Sequence, residues 1–370
     1  MKGKGPYTPR ITAMQLSLAL IASRASVMAV FLPVIWAKGD PKNGWVISIL
    51  SGVGGMLLIW MSVKLSEMHP NKTLIEITQS LLGKWVGGVV SVIFLWFFLH
   101  IATIMTRQFA EILNVALMPE TPIQVFIICI TLAVIFAVSR GLEAIAKVTA
   151  LTTPLSILSL FLIVLFNKKN YEISALLPVL ENGWSGVLYG SIVPLAWFGD
   201  VFLIMMLFPY VKDKPKVKPY TLLSIVVTTI LLVLLSGGVI GVFGPEEAGQ
   251  LTLPLFSFVR MIEVASFFER IEAVLVAIWI SIIFSKICFY LYIGIQGTGQ
   301  LFKLQAKRFL IIPMGICPIV LAKLSFKNLA DLKYFLTPGY FGIYALSIEI
   351  IFPLLLLLIT LLKPKERAAS

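Results

Sequence analysis

Long apolar runs alternate with short polar or basic connectors along nearly the whole chain. About ten runs reach the ~20 residues that a membrane core roughly 30 Å thick demands of a helix. They lie at 12–37, 44–66, 86–117, 122–139, 145–166, 184–208, 218–243, 271–296, 308–324 and 339–362. Periodicity does not separate helix from strand inside a uniformly apolar run, but length does. Barrel strands would be about 9–11 residues long and would alternate in polarity, which these runs do not. The pattern predicts an all-α integral membrane protein, one membrane domain over 1–370 with about ten transmembrane helices and no separate soluble domain.

Two of these runs carry a charge in mid-span, at corresponding positions of the two halves. The first is interrupted at Ser23-Arg24-Ala25-Ser26, the sixth at Pro194-Leu195-Ala196-Trp197-Phe198-Gly199-Asp200. They close on similar tripeptides, Phe31-Leu32-Pro33 and Leu207-Phe208-Pro209. A division near residue 180 leaves five spans on each side, and an odd number forces the halves into opposite orientations. The expectation is a 5+5 inverted repeat, with five helices in 12–166, five in 184–362, and broken first and sixth helices. Matched interruptions of this kind mark the substrate site of secondary transporters, at the repeat interface near mid-membrane.

Composition supports the membrane reading. Of 370 residues, 59% are hydrophobic and 13% charged, against about 45–50% and 25% in soluble domains. The net charge of +12 invites a nucleic-acid partner, but the basic residues sit between spans rather than on one face. The loop at 209–219 alone carries Lys212, Lys214, Lys216 and Lys218. Most other basic residues share its side of a ten-span chain, so the positive-inside rule places both termini in the cytoplasm. Cys129, Cys288 and Cys317 fall inside spans and read as small buried apolar residues, not a disulfide or metal framework. The first apolar run is too long for a cleavable signal. No Walker A, GxGxxG or Cys/His cluster is present, so no cofactor is expected, and the chain is read as no enzyme. Residues 244–270, with Glu246, Glu247, Glu263 and Glu269, read as an amphipathic hairpin over an outer vestibule.

A charge at the centre of a span costs about 2.5–3.5 kcal/mol on insertion scales, so each needs a partner or a cavity. Arg24, His100, Asp200 and Lys286 lie deep in spans; Arg107 and Glu111 form an i, i+4 pair, and Glu349 lies in the tenth span. If the two interruptions meet, Arg24 and freed backbone N–H groups bind a ligand carboxylate, or Arg24 and Asp200 form a structural ion pair. Lys286, beside Ser285, stands where a cation-coupled transporter holds its ion between the first and eighth spans. Its ammonium would replace that ion or carry a proton; alternatively it snorkels or pairs with a carboxylate. Trp197, Phe198, Trp279 and Phe284 are candidate aromatic walls. His100 reads as a packing residue rather than a relay.

Short stretches of the chain resemble the spore germination receptor B subunits, the endospore germination permeases, relatives of the amino acid–polyamine–organocation transporters. They are Asn43-Gly44-Trp45, Leu82-Gly83-Lys84-Trp85, Thr106-Arg107 with Ala110-Glu111, and Thr121-Pro122-Ile123-Gln124. In the second half they are Leu177-Pro178-Val179-Leu180, Leu253-Pro254, Phe267-Phe268-Glu269-Arg270-Ile271-Glu272, and Trp279. The resemblance implies a leucine-transporter-like fold and a nutrient-sensing role at the inner spore membrane, beside an A subunit and a lipoprotein C subunit. By that resemblance a small germinant such as an amino acid would bind at mid-membrane near Arg24, Ala25, Ser26, Val27, Ile101, Phe198 and Ser285; the interruptions themselves add Ser23, Trp197, Gly199 and Asp200, with Lys286 as an ion or proton site. An amino acid–proton symporter of the same fold is the alternative. One departure stands out: where transporter relatives have glycines at the first-helix break, this chain has Ser23-Arg24-Ala25-Ser26.

Overall fold

The computed structural model describes residue 8 and residues 10–37, 40–181, 183–262 and 271–362, giving the backbone alone for 28–37 and 271–276. The spanning helices of the first half are α1 (Ala13–Ala37), α2 (Gly44–Met68), α4 (Lys84–Ala116), α5 (Ile123–Arg140) and α6 (Leu142–Phe166), with a short α3 (Leu74–Leu82) between α2 and α4. The second half opens with α7 (Trp184–Phe198) and α8 (Val201–Leu207), two pieces of one span. After them come α9 (Val217–Gln250), α10 (Pro254–Arg260), α11 (Ile271–Leu301), α12 (Ile311–Ser325) and α13 (Leu329–Phe335). The tenth span alternates π-helical and α-helical turns: π at Pro338–Gly342, α14 (Ile343–Leu346), π at Ser347–Ile351, then α15 (Phe352–Leu362). Among the described residues, nine helical stretches are long and apolar enough to cross a membrane, and α1 adds a further apolar helix.

The two interrupted runs fold differently. The sixth breaks as expected: Pro194 removes an N–H from the last turns of α7, and the helix stops at Phe198, restarting at Val201. The first does not break. Arg24 sits inside a continuous 25-residue α1, because Ser23-Arg24-Ala25-Ser26 holds neither proline nor glycine, and a buried charge alone does not stop a helix. The Ser26 hydroxyl instead bonds back to the Ser23 carbonyl at 2.7 Å, a local bond that serine tolerates mid-helix.

Packing relates the halves by exchange. The first span lies against the seventh (α1 on α9), and the sixth lies against the second (α7 on α2); the third and eighth (α4 and α11) pair with each other. Small residues permit the closest approaches. A Cβ on Gly52 would fall 2.2 Å from Thr229 Oγ1 of α9, and one on Gly55 would fall 2.9 Å from Phe198 Cβ of α7. Such positions let membrane helices touch through their backbones. Two of the family-like stretches also meet: the Asn43 side chain accepts a bond from Leu180 N–H at 3.2 Å.

The residues just before α1 are tied to the segment after α8. Arg10 N–H donates to Tyr210 O at 2.8 Å, and the Asp213 carboxylate accepts from Ala13 N–H at 2.7 Å, capping α1. α3 opens on a capping box, Thr73 with Glu76. The stretch expected as an outer hairpin is helical where described: α9 kinks at Gly244 (φ 73°) and runs to Gln250, then α10 packs on α1, α9 and α11. Glu263, Glu269 and the remainder of that hairpin lie outside the described residues. Among the cysteines Cys288 is buried, but Cys129 is exposed on an outward helix face and Cys317 is half-buried, so only the first matches the expectation of burial.

Candidate functional site

At the end of α7 and the start of α8 the sixth span leaves part of its backbone bonding to other helices. The Phe198 carbonyl, at the negative end of α7, accepts from Arg24 Nη2 at 3.5 Å, and Arg24 Nη1 donates to Ser224 Oγ of α9 at 3.0 Å. The guanidinium carbon stands 5.6 Å from the Phe198 ring centre. A cation at a helix C-terminus is favourably placed, so Arg24 fastens α7 to α1 and α9. Arg24 Nε is buried without a hydrogen-bond partner.

Asp200 begins α8 and turns towards α11. Its Oδ1 accepts from Tyr290 Oη at 2.5 Å and lies 3.5 Å from Lys286 Nζ. Lys286 is fully buried; its ammonium also donates to the Ser23 carbonyl of α1 at 3.1 Å and stands 4.5 Å from the Trp197 ring centre. The structure thus pairs Asp200 with Lys286. Among the described residues there is no Arg24–Asp200 ion pair, which corrects that expectation. The reason is geometric: α1 continues as a helix, and its Arg24 points along the wall to α9 and the α7 carbonyl rather than across the break.

Glu349 of the tenth span completes the constellation. A Cβ on Gly199 would fall 1.8 Å from Glu349 Oε2, so this carboxyl rests directly on the Gly199 backbone, and only glycine leaves it room. Gly199 is required for space; its φ of −71° is ordinary. Trp197 stacks on Phe341 of the same span at 4.5 Å.

Ser23, Arg24, Trp197, Phe198, Gly199, Asp200 and Lys286 are therefore brought together. The others play lesser parts. Ala25 and Val27 belong to the apolar core, Ile101 is buried on α4, and the Ser285 hydroxyl is spent on the Ser281 carbonyl of its own helix at 2.9 Å. Ser26 bonds within α1, and its carbonyl accepts from Gln108 Nε2 at 3.4 Å. His100 behaves as a packing residue, 3.1 Å from the Tyr344 hydroxyl and beside Trp96 and Phe335. Arg107 holds Glu111 through Nε at 2.8 Å and also reaches the carbonyls of Ala322 and Lys327, tying α4 to the far end of α12. Tyr290, Ser224 and a role for Glu349 were missed by sequence reasoning. Only Glu349 carried a signal, an acid inside an apolar span.

The family described as Spore germination protein matches residues 10–329. The chain belongs to it. Spore germination protein KB of Bacillus subtilis (strain 168) is 26% identical over 368 residues, 98% of this chain and 97% of its own length. Spore germination protein YndE of the same strain is 28% identical over 317 residues, 85% of this chain and 86% of its own. Among solved structures, a Na+-coupled sialic acid symporter in a substrate-bound outward-open state superposes with a TM-score of 0.68 at 13% identity, covering 92% of this chain and 78% of that one. Mhp1, a nucleobase-cation-symport-1 family transporter in a closed conformation with bromovinylhydantoin bound, gives 0.62 at 11%, covering 90% and 77%. The fold is the leucine-transporter-like one, and the chain is an integral membrane protein of a germination family built on a transporter scaffold.

Proposed function

We propose that this chain is the germinant-sensing subunit of a spore germination receptor. It binds a small molecule such as an amino acid at the α7–α8 break and signals to A and C subunits in the inner spore membrane, with both termini in the cytoplasm. The halves 12–166 and 184–362 act as inverted repeats, a reading supported by the exchange of span pairs. One observation carries the proposal: Arg24 Nε and Asp200 Oδ2, buried and lacking hydrogen-bond partners, flank one helix break. A zwitterion satisfies both, its carboxylate at Arg24 and its ammonium at Asp200, since unmet buried polar groups favour whatever pairs them.

The test uses spores carrying R24Q or D200N at normal protein level, scored for germination against a panel of amino acids. The half-maximal concentration of the active germinant rises about tenfold or more, the equivalent of one charged hydrogen bond. An unchanged dose–response in both variants refutes the pocket.

The second reading, an amino acid–proton symporter, draws on the Lys286 contact with the Ser23 carbonyl, an ammonium lodged between the first and eighth spans. Purified protein in liposomes, given radiolabelled amino acid and an imposed proton gradient, separates the two. Concentrative uptake replaces the sensor with a symporter.

A further inference from the structure

Glu349 has no part in the ligand reading above, yet its carboxyl is buried with an oxygen left unpartnered. It is 2% exposed and stands in a π-helical stretch, a departure from α geometry that recurs at functional sites. Its Oε2 is buried with no hydrogen-bond donor in reach and is pressed on the Gly199 backbone.

The charged and titratable groups around it come from five elements. Arg24 faces it from α1, Asp200 from the α7–α8 link, Lys286 and Tyr290 from α11, and Tyr344 from its own span, with His100 of α4 behind Tyr344. Nearly every donor among them is engaged elsewhere. Lys286 and Tyr290 hold Asp200; Arg24 holds Ser224 and the Phe198 carbonyl; Tyr344 and His100 hold each other. The uncommitted Arg24 Nε lies beyond bonding distance of Glu349.

Two neighbouring carboxyls in a low-dielectric site do not both ionise freely, and the one with contacting donors keeps the charge. Asp200 has an ammonium and a phenol on one oxygen. Glu349 has neither, and a bare carboxylate in an apolar interior is strongly penalised.

We propose that Glu349 is a proton-binding site, holding a proton while α7 and α8 are seated against it and releasing it to water when that seat opens. The carboxylic acid becomes a carboxylate, and nothing else is consumed. While the proton is held, Arg24 and Lys286 outweigh Asp200, so the break carries a net positive charge that welcomes an anionic group.

The test is infrared spectroscopy of the full chain in lipid at neutral pH, with no ligand added. The wild type shows the carbonyl stretch of a protonated carboxylic acid, E349Q lacks it, and E349D shifts it. Equal bands in wild type and E349Q overturn the proposal. Should E349Q fail to fold, E349D decides: it keeps a titratable group one methylene further from Gly199, and an unshifted band overturns the assignment. None of these outcomes depends on a germinant, so the proton site and the ligand pocket stand or fall separately.

Discussion

Lys286→Met removes the one cation that contacts Asp200 among the described residues. The methionine fills similar space, so the cost is electrostatic rather than a cavity. Lost are the ion pair at 3.5 Å, the bond to the Ser23 carbonyl at 3.1 Å and the cation over Trp197. Asp200 keeps the Tyr290 hydroxyl. Breaking a buried pair by deleting one partner costs about 3–5 kcal/mol, whereas a neutral hydrogen bond between membrane helices averages about 0.6 kcal/mol. The two accounts of Lys286, charge partner or snorkelling residue, thus differ several-fold. D200N is milder, about 2–3 kcal/mol, because the ammonium retains a carbonyl and a ring. The double variant leaves no uncompensated charge, so its cost falls below the sum of the singles by about 2 kcal/mol or more. Reversible unfolding in mixed micelles, titrated with denaturing detergent, measures all three. Additivity within about 0.5 kcal/mol refutes the pairing.

Gly199→Ala drives a Cβ into Glu349 Oε2; it lowers the melting temperature, and adding E349A restores most of the loss, which a thermal scan of single and double variants checks. Arg107→Ala strands Glu111 and frees the carbonyls of Ala322 and Lys327; it costs about 3–5 kcal/mol in the same unfolding assay while leaving the germinant dose–response in place. Glu181→Gln removes an exposed ion pair to Lys42; screening makes such pairs nearly worthless, and the melting temperature is unchanged. Ser224→Ala takes one of the two bonds from Arg24 and raises the half-maximal germinant concentration less than R24Q does, as spore germination curves test.

Spans were legible because apolar length is a local property: each expected run contains an apolar helix, and among the described residues nine helical stretches are long and apolar enough to cross a membrane. The break in the sixth run was legible for the same reason, with proline and glycine close together. The first run misleads because a mid-span charge resembles an interruption, while helix-breaking needs a backbone cause and Arg24 supplies none. α3 was passed over because nine residues cannot span, although its Thr73–Glu76 capping box is a readable start signal. Partner choice was not legible at all. Tyr290 and Asp200 are 90 positions apart and Lys286 and Ser23 are 263 apart, and only the packing of α11 between α1 and the break selects Lys286 over Arg24.

An unbroken α1 alters how a signal would start. With both helices broken, a ligand meets free backbone on two sides and fills a gap. Here α1 and α11 are continuous, and each sends one cation to the broken span: Arg24 to the carbonyl that ends α7, Lys286 to the carboxylate that begins α8. Those two contacts determine how α7 and α8 sit relative to each other. On the proposed reading, a ligand carboxylate at Arg24 Nε and an ammonium at Asp200 Oδ2 would draw the two side chains away from the Phe198 carbonyl and from Lys286. A ligand shifts a conformational equilibrium only by the difference in its affinity for the two states. A zwitterion that altered both contacts at once would direct its whole differential affinity to the α7–α8 joint, and through Gly199 to the Glu349 carboxyl pressed against it.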